Sequence, residues 1–163
     1  MCRYKQHITP FTKYHQLKAT FYTDPLYGKF PSLLVNKLAQ VFTSGEFIFI
    51  APAKSKVDGG ISLMYLCDKH DITEELRCDN IKEELIPGAT MLRIMSNFYI
   101  IGRSSDPYNQ QHNKCEGQIR DLEYLSKQRM IKTNAPAPLW EFCIFTESEI
   151  ISRISRGGKR TGL

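Results

Sequence analysis

The sequence predicts a single α+β domain with a central, mostly antiparallel sheet and a few short helices. Two observations lead to this fold class. The 163-residue chain is 42% hydrophobic, enough to bury one core. Its apolar residues fall into short runs rich in aromatic and β-branched side chains, and glycine, proline and polar residues separate these runs. We expect residues 1–152 to form the domain and residues 153–163 to form a basic, mobile tail.

The N-terminal part is expected to hold strands, turns and the first helix. Residues 1–30 are rich in aromatic residues and threonine and contain Pro10 and Pro25, a composition more typical of strands and turns than of helix. A helical pattern follows, so we predict a helix over residues 32–43 that stops near Gly45. Four apolar residues at helical spacing mark this helix: Leu34, Leu38, Val41 and Phe42.

Two strands and a charged segment are predicted next. Residues 46–52 and 61–67 are short apolar runs, and each is interpreted as a strand. The residues between them are polar and include Gly59 and Gly60, as is typical of a turn. Residues 70–88 are charged with isolated isoleucine and leucine anchors, which favours short helical turns at the surface.

The next segment is expected to contain a hairpin, a loop and a helix. The apolar runs 91–95 and 98–101 flank Ser96-Asn97 and predict a hairpin. Residues 104–115 are polar and predict a long exposed loop. An amphipathic helix that ends near Met130 is marked by Ile119, Leu122 and Leu125.

The C-terminal apolar run places a carboxylate among hydrophobic residues. The prolines of 134–138 indicate an extended connector that leads into a strand over 139–145. Strand alternation puts Glu141 on a face with Cys143 and Phe145. A buried carboxylate is usually paired or used in chemistry, so Glu141 is a catalytic candidate, and a pairing with a nearby Lys or Arg is the alternative. The motif Thr146-x-x-Glu149 is interpreted as a capping box that opens a final helix.

Composition excludes some classes of protein. The N-terminus lacks the apolar segment of a signal peptide, and no run of eighteen or more apolar residues occurs, so we expect a cytoplasmic protein. The five cysteines are odd in number and irregular in spacing, which favours reduced thiols. The mirrored pairs Cys67-x-x-His70 and His112-x-x-Cys115 could form a zinc site. Because Cys67 ends an apolar strand-like run and no glycine-bearing knuckle surrounds either pair, we assign no metal ligand.

Positive charge collects at the C-terminus. The chain carries a formal net charge of +5, and no acidic residue follows Glu149. The tail could contact phosphate groups or remain solvated. Its basic residues are Arg153, Arg156, Lys159 and Arg160.

Three segments, taken in order, resemble the ADP-ribosyltransferase superfamily, which includes poly-ADP-ribose polymerases and DarT-type toxins. Gln6-His7-Ile8-Thr9 is similar to the family's His-x-Ser/Thr strand. Residues 45–55 and 63–67 are similar to its strand, serine-containing turn and following strand. Trp140-Glu141-Phe142 is similar to the strand that bears the catalytic glutamate.

The resemblance implies an ADP-ribosyltransferase-like fold with NAD as the substrate. Glu141 would stabilise the oxocarbenium-like state formed when nicotinamide leaves. The positions that would bind NAD are His7, Thr9, Ser55, Tyr65 and Lys54, where Tyr65 is one of several aromatic residues that could stack on nicotinamide.

Two classes of function therefore stay open. The first is a transferase, for example a toxin or a phage–host conflict factor, that modifies a macromolecular acceptor, either nucleic acid or protein. The alternative is a non-enzymatic phage or plasmid protein that binds nucleic acid through its basic tail and aromatic residues or inhibits a host protein. We expect no membrane partner, and the sequence leaves the acceptor and the oligomeric state open.

Overall fold

A computed structural model describes residues 16–44, 47–78, 90–104 and 114–153. In these residues the chain forms five strands and four α-helices. The strands are β1 (Gln16–Tyr27), β2 (Leu38–Thr43), β3 (Ile48–Ala53), β4 (Ile72–Cys78) and β5 (Ile101–Ser104). The helices are α1 (Gly59–His70), α2 (Thr90–Asn97), α3 (Lys114–Thr133) and α4 (Trp140–Arg153).

The five strands form one mixed sheet in the order β3-β2-β1-β4-β5. The pairs β1–β2 and β2–β3 are antiparallel, whereas β1–β4 and β4–β5 are parallel. Parallel neighbours need a crossover connection, and α1 connects β3 to β4 across the sheet. The predicted single α+β domain is thus confirmed, but the sheet is mixed rather than mostly antiparallel.

Strand alternation divides the hydrophobic residues between two cores, one on each face of the sheet. The first core, here called the α1/α2 core, contains Phe21 and Phe42 together with residues of α1 and α2. The second, the α3/α4 core, contains Leu26, Val41 and Ile50 with residues of α3 and α4. Neighbouring residues such as Val41 and Phe42 therefore point to opposite helix layers.

The predicted helix over 32–43 is wrong, because its second half is strand β2. All six residues of β2 are buried, and both edges of the strand pair with neighbours. A strand buried on both faces has no polar alternation, so its apolar residues matched a helical spacing by chance. The first half is a loop in which Val35 has a φ of 65°.

Two further predictions of strand are wrong because the segments are helical. Residues 61–67 belong to α1, where Leu63, Leu66 and Cys67 are buried at helical spacing while Met64 and Tyr65 are exposed. The hairpin predicted around Ser96-Asn97 is instead α2, followed by β5.

The predicted strand at 139–145 is also wrong, because this run begins α4. Its residues are good to moderate helix formers, and Cys143, Ile144 and Glu147 turn inward together. The proposed capping box lies inside this helix, where the Thr146 hydroxyl donates to the Phe142 carbonyl at 2.8 Å.

Several predictions agree with the structure. Residues 46–52 overlap β3, and the amphipathic helix ending near Met130 is α3. The charged segment 70–88 contains β4, so its predicted helical turns are wrong there, and residues 79–89 lie outside the described residues. Most of the predicted loop 104–115 and residues 154–163 of the predicted tail also lie outside them. Among the helices that are described, none is long and apolar enough to cross a membrane.

Candidate catalytic carboxylate site

Asp24 is an acidic residue in the central strand. It lies in β1 between Tyr22 and Leu26, both of which pack in or against the α3/α4 core. Because side chains two residues apart in a strand share a face, Asp24 points to the α3/α4 side of the sheet. It is half-buried there. Asp24 therefore has apolar neighbours on its face of the sheet and is also accessible to solvent.

The first turn of α3 meets the sheet opposite Asp24. The Cys115 thiol is buried and donates to the Val41 carbonyl at 3.9 Å. Val41 is in turn the direct β2 partner of Asp24 in the antiparallel register. Directly paired residues in such a ladder have Cα atoms about 5 Å apart. The start of α3 therefore contacts the β2 residue that pairs with Asp24.

Glu116 follows Cys115 in the first turn of α3 and is exposed. Cys115 turns toward the sheet, so Glu116 lies at the border of the helix with solvent. The N-terminal end of a 20-residue helix also carries the positive end of the helix dipole. Asp24 on β1 and Glu116 at the start of α3 are thus two carboxylates on elements that both adjoin Val41 of β2, and the helix end favours anionic groups.

The parallel strand β4 ends beside the same part of β1. Thr23 pairs with Cys78, the last residue of β4, and Thr23 immediately precedes Asp24. Next to it on the α1/α2 face, Gln40 donates to the Thr23 hydroxyl at 2.6 Å, and both side chains are buried. This contact anchors the centre of β1, and the backbone that carries Asp24 is held by strands on both sides.

No protein-family model matches this sequence, and no curated protein sequence matches it. The fold is similar to that of retroviral integrase catalytic cores. The HTLV-2 integrase catalytic core domain, solved with magnesium in a dimeric form, matches with a TM-score of 0.68 and 10% identity over 88% of this chain and 93% of that one.

Two further integrase structures are similar to this chain in fold. The catalytic core domain of BIV integrase matches with a TM-score of 0.61 and 12% identity, and 88% of each chain is covered. A chain of the simian T-cell lymphotropic virus intasome, solved with PP2A regulatory subunit B56 gamma, matches with a TM-score of 0.63 and 10% identity over 92% of this chain. The present chain spans 61% of that intasome chain. The predicted ADP-ribosyltransferase-like fold is not confirmed by these matches.

Glu141 is buried in the first turn of α4, not on a strand. Its Oε2 atom accepts a hydrogen bond from Asn36 Nδ2 at 2.9 Å, so the carboxylate connects α4 to the loop between β1 and β2. The partner is an amide and not the Lys or Arg that the alternative interpretation expected. A hydrogen-bonded, 7% exposed carboxylate has an evident structural use.

The other residues proposed for NAD lie in different places. Ser55 and Lys54 are exposed in the turn after β3, where the Ser55 hydroxyl donates to Asp58 Oδ2 at 3.2 Å. Tyr65 lies on α1 beside Phe49, with ring centroids 5.7 Å apart. Helices α1 and α4 cover opposite faces of the sheet, so Tyr65 and Glu141 do not share a cleft. His7 and Thr9 lie outside the described residues.

The alternative zinc site is separated by the same sheet. Cys67 belongs to the α1/α2 core and Cys115 to the α3/α4 core, so these two thiols cannot bind the same ion. His112 lies outside the described residues. Burial, with a smaller contribution from Asp68, raises the pKa of Cys67 to about 12, which keeps this thiol protonated near neutral pH.

Sequence reasoning missed Asp24 and Glu116. Asp24 satisfies the criterion that selected Glu141, since it also stands within an aromatic and apolar run. The adjacent Pro25 instead indicated a turn. Glu116 lies in a helix that was predicted correctly. The contact of the first turn of this helix with Val41, the partner of Asp24, is visible only in the folded structure.

Proposed function

We propose that this chain is a divalent-cation-dependent phosphoryl transferase that cuts or joins nucleic acid strands, as an integrase catalytic core does. The observation that carries the proposal is the contact of Cys115, which precedes Glu116 in the first turn of α3, with Val41, the β2 residue that pairs with Asp24. The integrase-like fold supports it, as does the magnesium in the HTLV-2 core structure. The net charge of +5 suits a polyanionic substrate.

The donor atoms fit the cation that the proposal requires. Magnesium prefers oxygen ligands and is usually held by one or two carboxylates, with water and substrate phosphate completing its coordination. Asp24 and Glu116 supply two such carboxylates. The sequence offers a third at Asp79, which directly follows Cys78 at the end of β4, and we include it on its position in the sequence alone.

The chain's own groups would act by positioning and by charge. Asp24 and Glu116 would hold the cation, and the N-terminal end of α3 would favour the phosphate beside it. When bound, the cation would offset phosphate charge and lower the pKa of an attacking water or hydroxyl. The buried Thr23–Gln40 contact keeps β1 in place, which matters because phosphoryl transfer depends on alignment.

The test uses cation binding and strand chemistry together. Manganese binding, followed by its electron spin resonance signal, and Mg²⁺-dependent cleavage or joining of a labelled DNA duplex are measured for wild type, Asp24→Asn, Glu116→Gln and Asp79→Asn. Each substitution keeps the volume of the side chain but removes a charge. We expect at least about a hundredfold loss of strand chemistry, together with weaker manganese binding, in the first two variants.

Asp121→Asn is the matched control, because Asp121 is exposed on α3 and loses the same charge. It should retain wild-type binding and activity. The proposal fails if wild type neither binds manganese nor acts on DNA, or if Asp24→Asn and Glu116→Gln behave like Asp121→Asn. The ADP-ribosyltransferase interpretation remains an untested prediction, and nicotinamide release from NAD in the same preparations would test it.

A further inference from the structure

Strands β4 and β5 present an open surface on the α3/α4 side of the sheet. Leu76 of β4 belongs to the α1/α2 core, so Glu75 and Arg77 on either side of it point to the α3/α4 side. Arg103 of β5 is the direct partner of Arg77 and shares this side. The helices of this side, α3 and α4, pack on β1, β2 and β3. The Arg103 side chain is accordingly 60% exposed, and that of Arg77 is 34% exposed.

The two arginines lie side by side and share one carboxylate. Like charges that face each other on neighbouring strands repel, so this pair needs a counter-charge. Glu75 supplies one: its Oε1 atom accepts a hydrogen bond from Arg77 Nε at 2.5 Å, and its Oε2 atom lies 3.4 Å from Arg103 Nε. The cluster of Glu75, Arg77 and Arg103 thus carries one excess positive charge.

The guanidinium groups of this cluster also have the geometry that binds phosphate. Arginine has five N–H donors, and the contacts with Glu75 are made through the Nε atom of each residue. The terminal Nη groups belong to the planar fork that pairs with two oxygens of a phosphate or carboxylate. Two such forks with an excess positive charge, exposed on an open sheet surface, are complementary to an anionic backbone.

The cluster lies beside the candidate catalytic carboxylate. Arg77 pairs in register with Tyr22 of β1, and its guanidinium carbon lies 5.9 Å from the centroid of the Tyr22 ring. This cation–π contact holds Arg77 toward β1. Asp24 follows Tyr22 by two residues on the same face, roughly 7 Å further along the strand. The arginines and Asp24 therefore occupy neighbouring positions on one face of the sheet.

We propose that Arg77 and Arg103 bind a backbone phosphate of the nucleic acid strand that reacts at Asp24. This inference rests on the proposed function, in which a cation offsets the charge of Asp24. A nucleic acid strand carries one charge for roughly every 3.4 Å of helix axis, so a strand with one phosphate at Asp24 has others within reach of the arginines. A mononucleotide lacks this second contact, so the cluster favours a polymeric substrate. Glu75 holds the two guanidinium groups in place without cancelling both charges.

The experiment measures DNA binding separately from catalysis. The fluorescence anisotropy of a labelled DNA duplex is followed during titration with wild type, Arg77→Gln or Arg103→Gln, in EDTA and at a series of salt concentrations. Each variant should bind roughly tenfold more weakly, and the slope of log affinity against log salt should fall by about one phosphate contact. Arg93→Gln is the matched control and should bind like wild type, because Arg93 is exposed on α2, on the other side of the sheet.

Two further measurements separate phosphate binding from a merely structural effect. Manganese binding by Arg77→Gln and Arg103→Gln should equal that of wild type, because neither change touches the proposed cation ligands. Glu75→Gln keeps a hydrogen-bond acceptor but removes the shared negative charge, so it should bind the duplex more tightly than wild type. A purely structural role of the cluster predicts weaker binding for all three variants.

The inference is overturned if Arg77→Gln and Arg103→Gln bind the duplex with the affinity and salt slope of Arg93→Gln. It is equally overturned if Glu75→Gln weakens binding as the arginine variants do. Either result leaves the proposed function standing when wild type binds manganese and cuts or joins DNA. Conversely, a wild type without strand chemistry whose duplex binding still depends on both arginines would contradict the proposed function and support the phosphate contact.

Discussion

At the scale of single residues, the buried carboxylate of Glu141 holds a loop to a helix. The loop between β1 and β2 has no regular secondary structure of its own, and Val35 adopts a positive φ of 65° within it. Asn36 anchors this loop through its hydrogen bond to Glu141. A second contact, from the Leu33 backbone N–H to the Pro138 carbonyl at 2.9 Å, ties the same loop to the connector before α4.

Asn36→Ala should therefore destabilise the protein. The change leaves the 7% exposed Glu141 carboxylate without its amide donor, and a buried acceptor that loses its partner costs about 1–3 kcal/mol. Urea denaturation measures the loss, and Lys37→Ala, a neighbouring exposed change, should alter stability by less than about 0.5 kcal/mol. Glu141→Gln keeps an acceptor for Asn36 and should cost less than Asn36→Ala. Equal stability of Asn36→Ala and wild type would contradict this role.

Cys67 predicts a pH dependence of stability. Burial raises its pKa to about 12 in the folded protein, against an ordinary value of 9.0. The unfolded thiol loses its proton at lower pH, so the contribution to stability is complete below about pH 9 and is lost as the pH rises toward 12. Over this window the free energy of unfolding should fall by about 1.4 kcal/mol per pH unit for this one group.

The measurement is a series of urea denaturations from pH 8 to pH 11, an interval of about 3 units around the ordinary thiol pKa. Cys67→Ala provides the comparison, because it removes the thiol from the α1/α2 core. Its stability should be lower than that of wild type at pH 8, and the difference should shrink as the pH rises. A difference that stays constant with pH would show that the buried thiol does not titrate as expected.

At the scale of elements, two helical glycines differ in the space around them. Gly60 lies in α1 where a Cβ atom would meet the backbone of Thr90 in α2 at 2.6 Å. Gly117 lies in α3, where a Cβ atom would meet nothing within 4 Å. The first glycine permits close packing of two helices, and the second only adds conformational freedom to the unfolded chain.

Replacing each glycine by alanine should change stability in opposite directions. Gly60→Ala forces α1 and α2 apart and should destabilise by about 1–3 kcal/mol, the usual cost of overpacking. Gly117→Ala should stabilise by about 0.5–1 kcal/mol, since alanine is the better helix former. Thermal denaturation of the two variants beside wild type measures both effects. A stabilising Gly60→Ala would contradict the close contact between α1 and α2.

The elements also show where sequence reasoning succeeds. Helix α3 is predictable because one face is polar and Leu122 stands on the buried face. Strand β2 is not predictable in this way, because it is buried on both faces and so lacks an alternation of apolar and polar residues. The run that begins α4 was predicted to be a strand because its aromatic residues favour strands locally. It is a helix because Trp140 and Ile144 pack together in the α3/α4 core.

At the scale of the whole molecule, the candidate site is made by the arrangement of the sheet. Asp24 and Glu116 are far apart in the sequence, and neither belongs to a compact motif. The elements that carry them meet because β1 is the central strand, β2 pairs with it, and α3 begins over that pair. Chain order alone does not determine this register, so the site could be recognised only after the fold was known.

The position of β1 also orders the steps of folding. Strands β1, β2 and β3 are consecutive antiparallel neighbours, so they can pair after closing only short loops. The pairing of β1 with β4 and the docking of α3 and α4 close much longer loops. We therefore expect the three-strand unit to form in the transition state and the α3/α4 layer to join it afterwards.

Folding kinetics can test this order with two conservative changes. Thr43→Val removes the hydrogen bond from the Thr43 hydroxyl to the Phe47 carbonyl in the turn between β2 and β3, and should give a φ-value above about 0.5. Ile151→Val probes the docked α4 and should give a value below about 0.3. The reverse order of values would contradict this pathway. Asp24 would thus reach its strand early, and Glu116 would join it only near the end of folding.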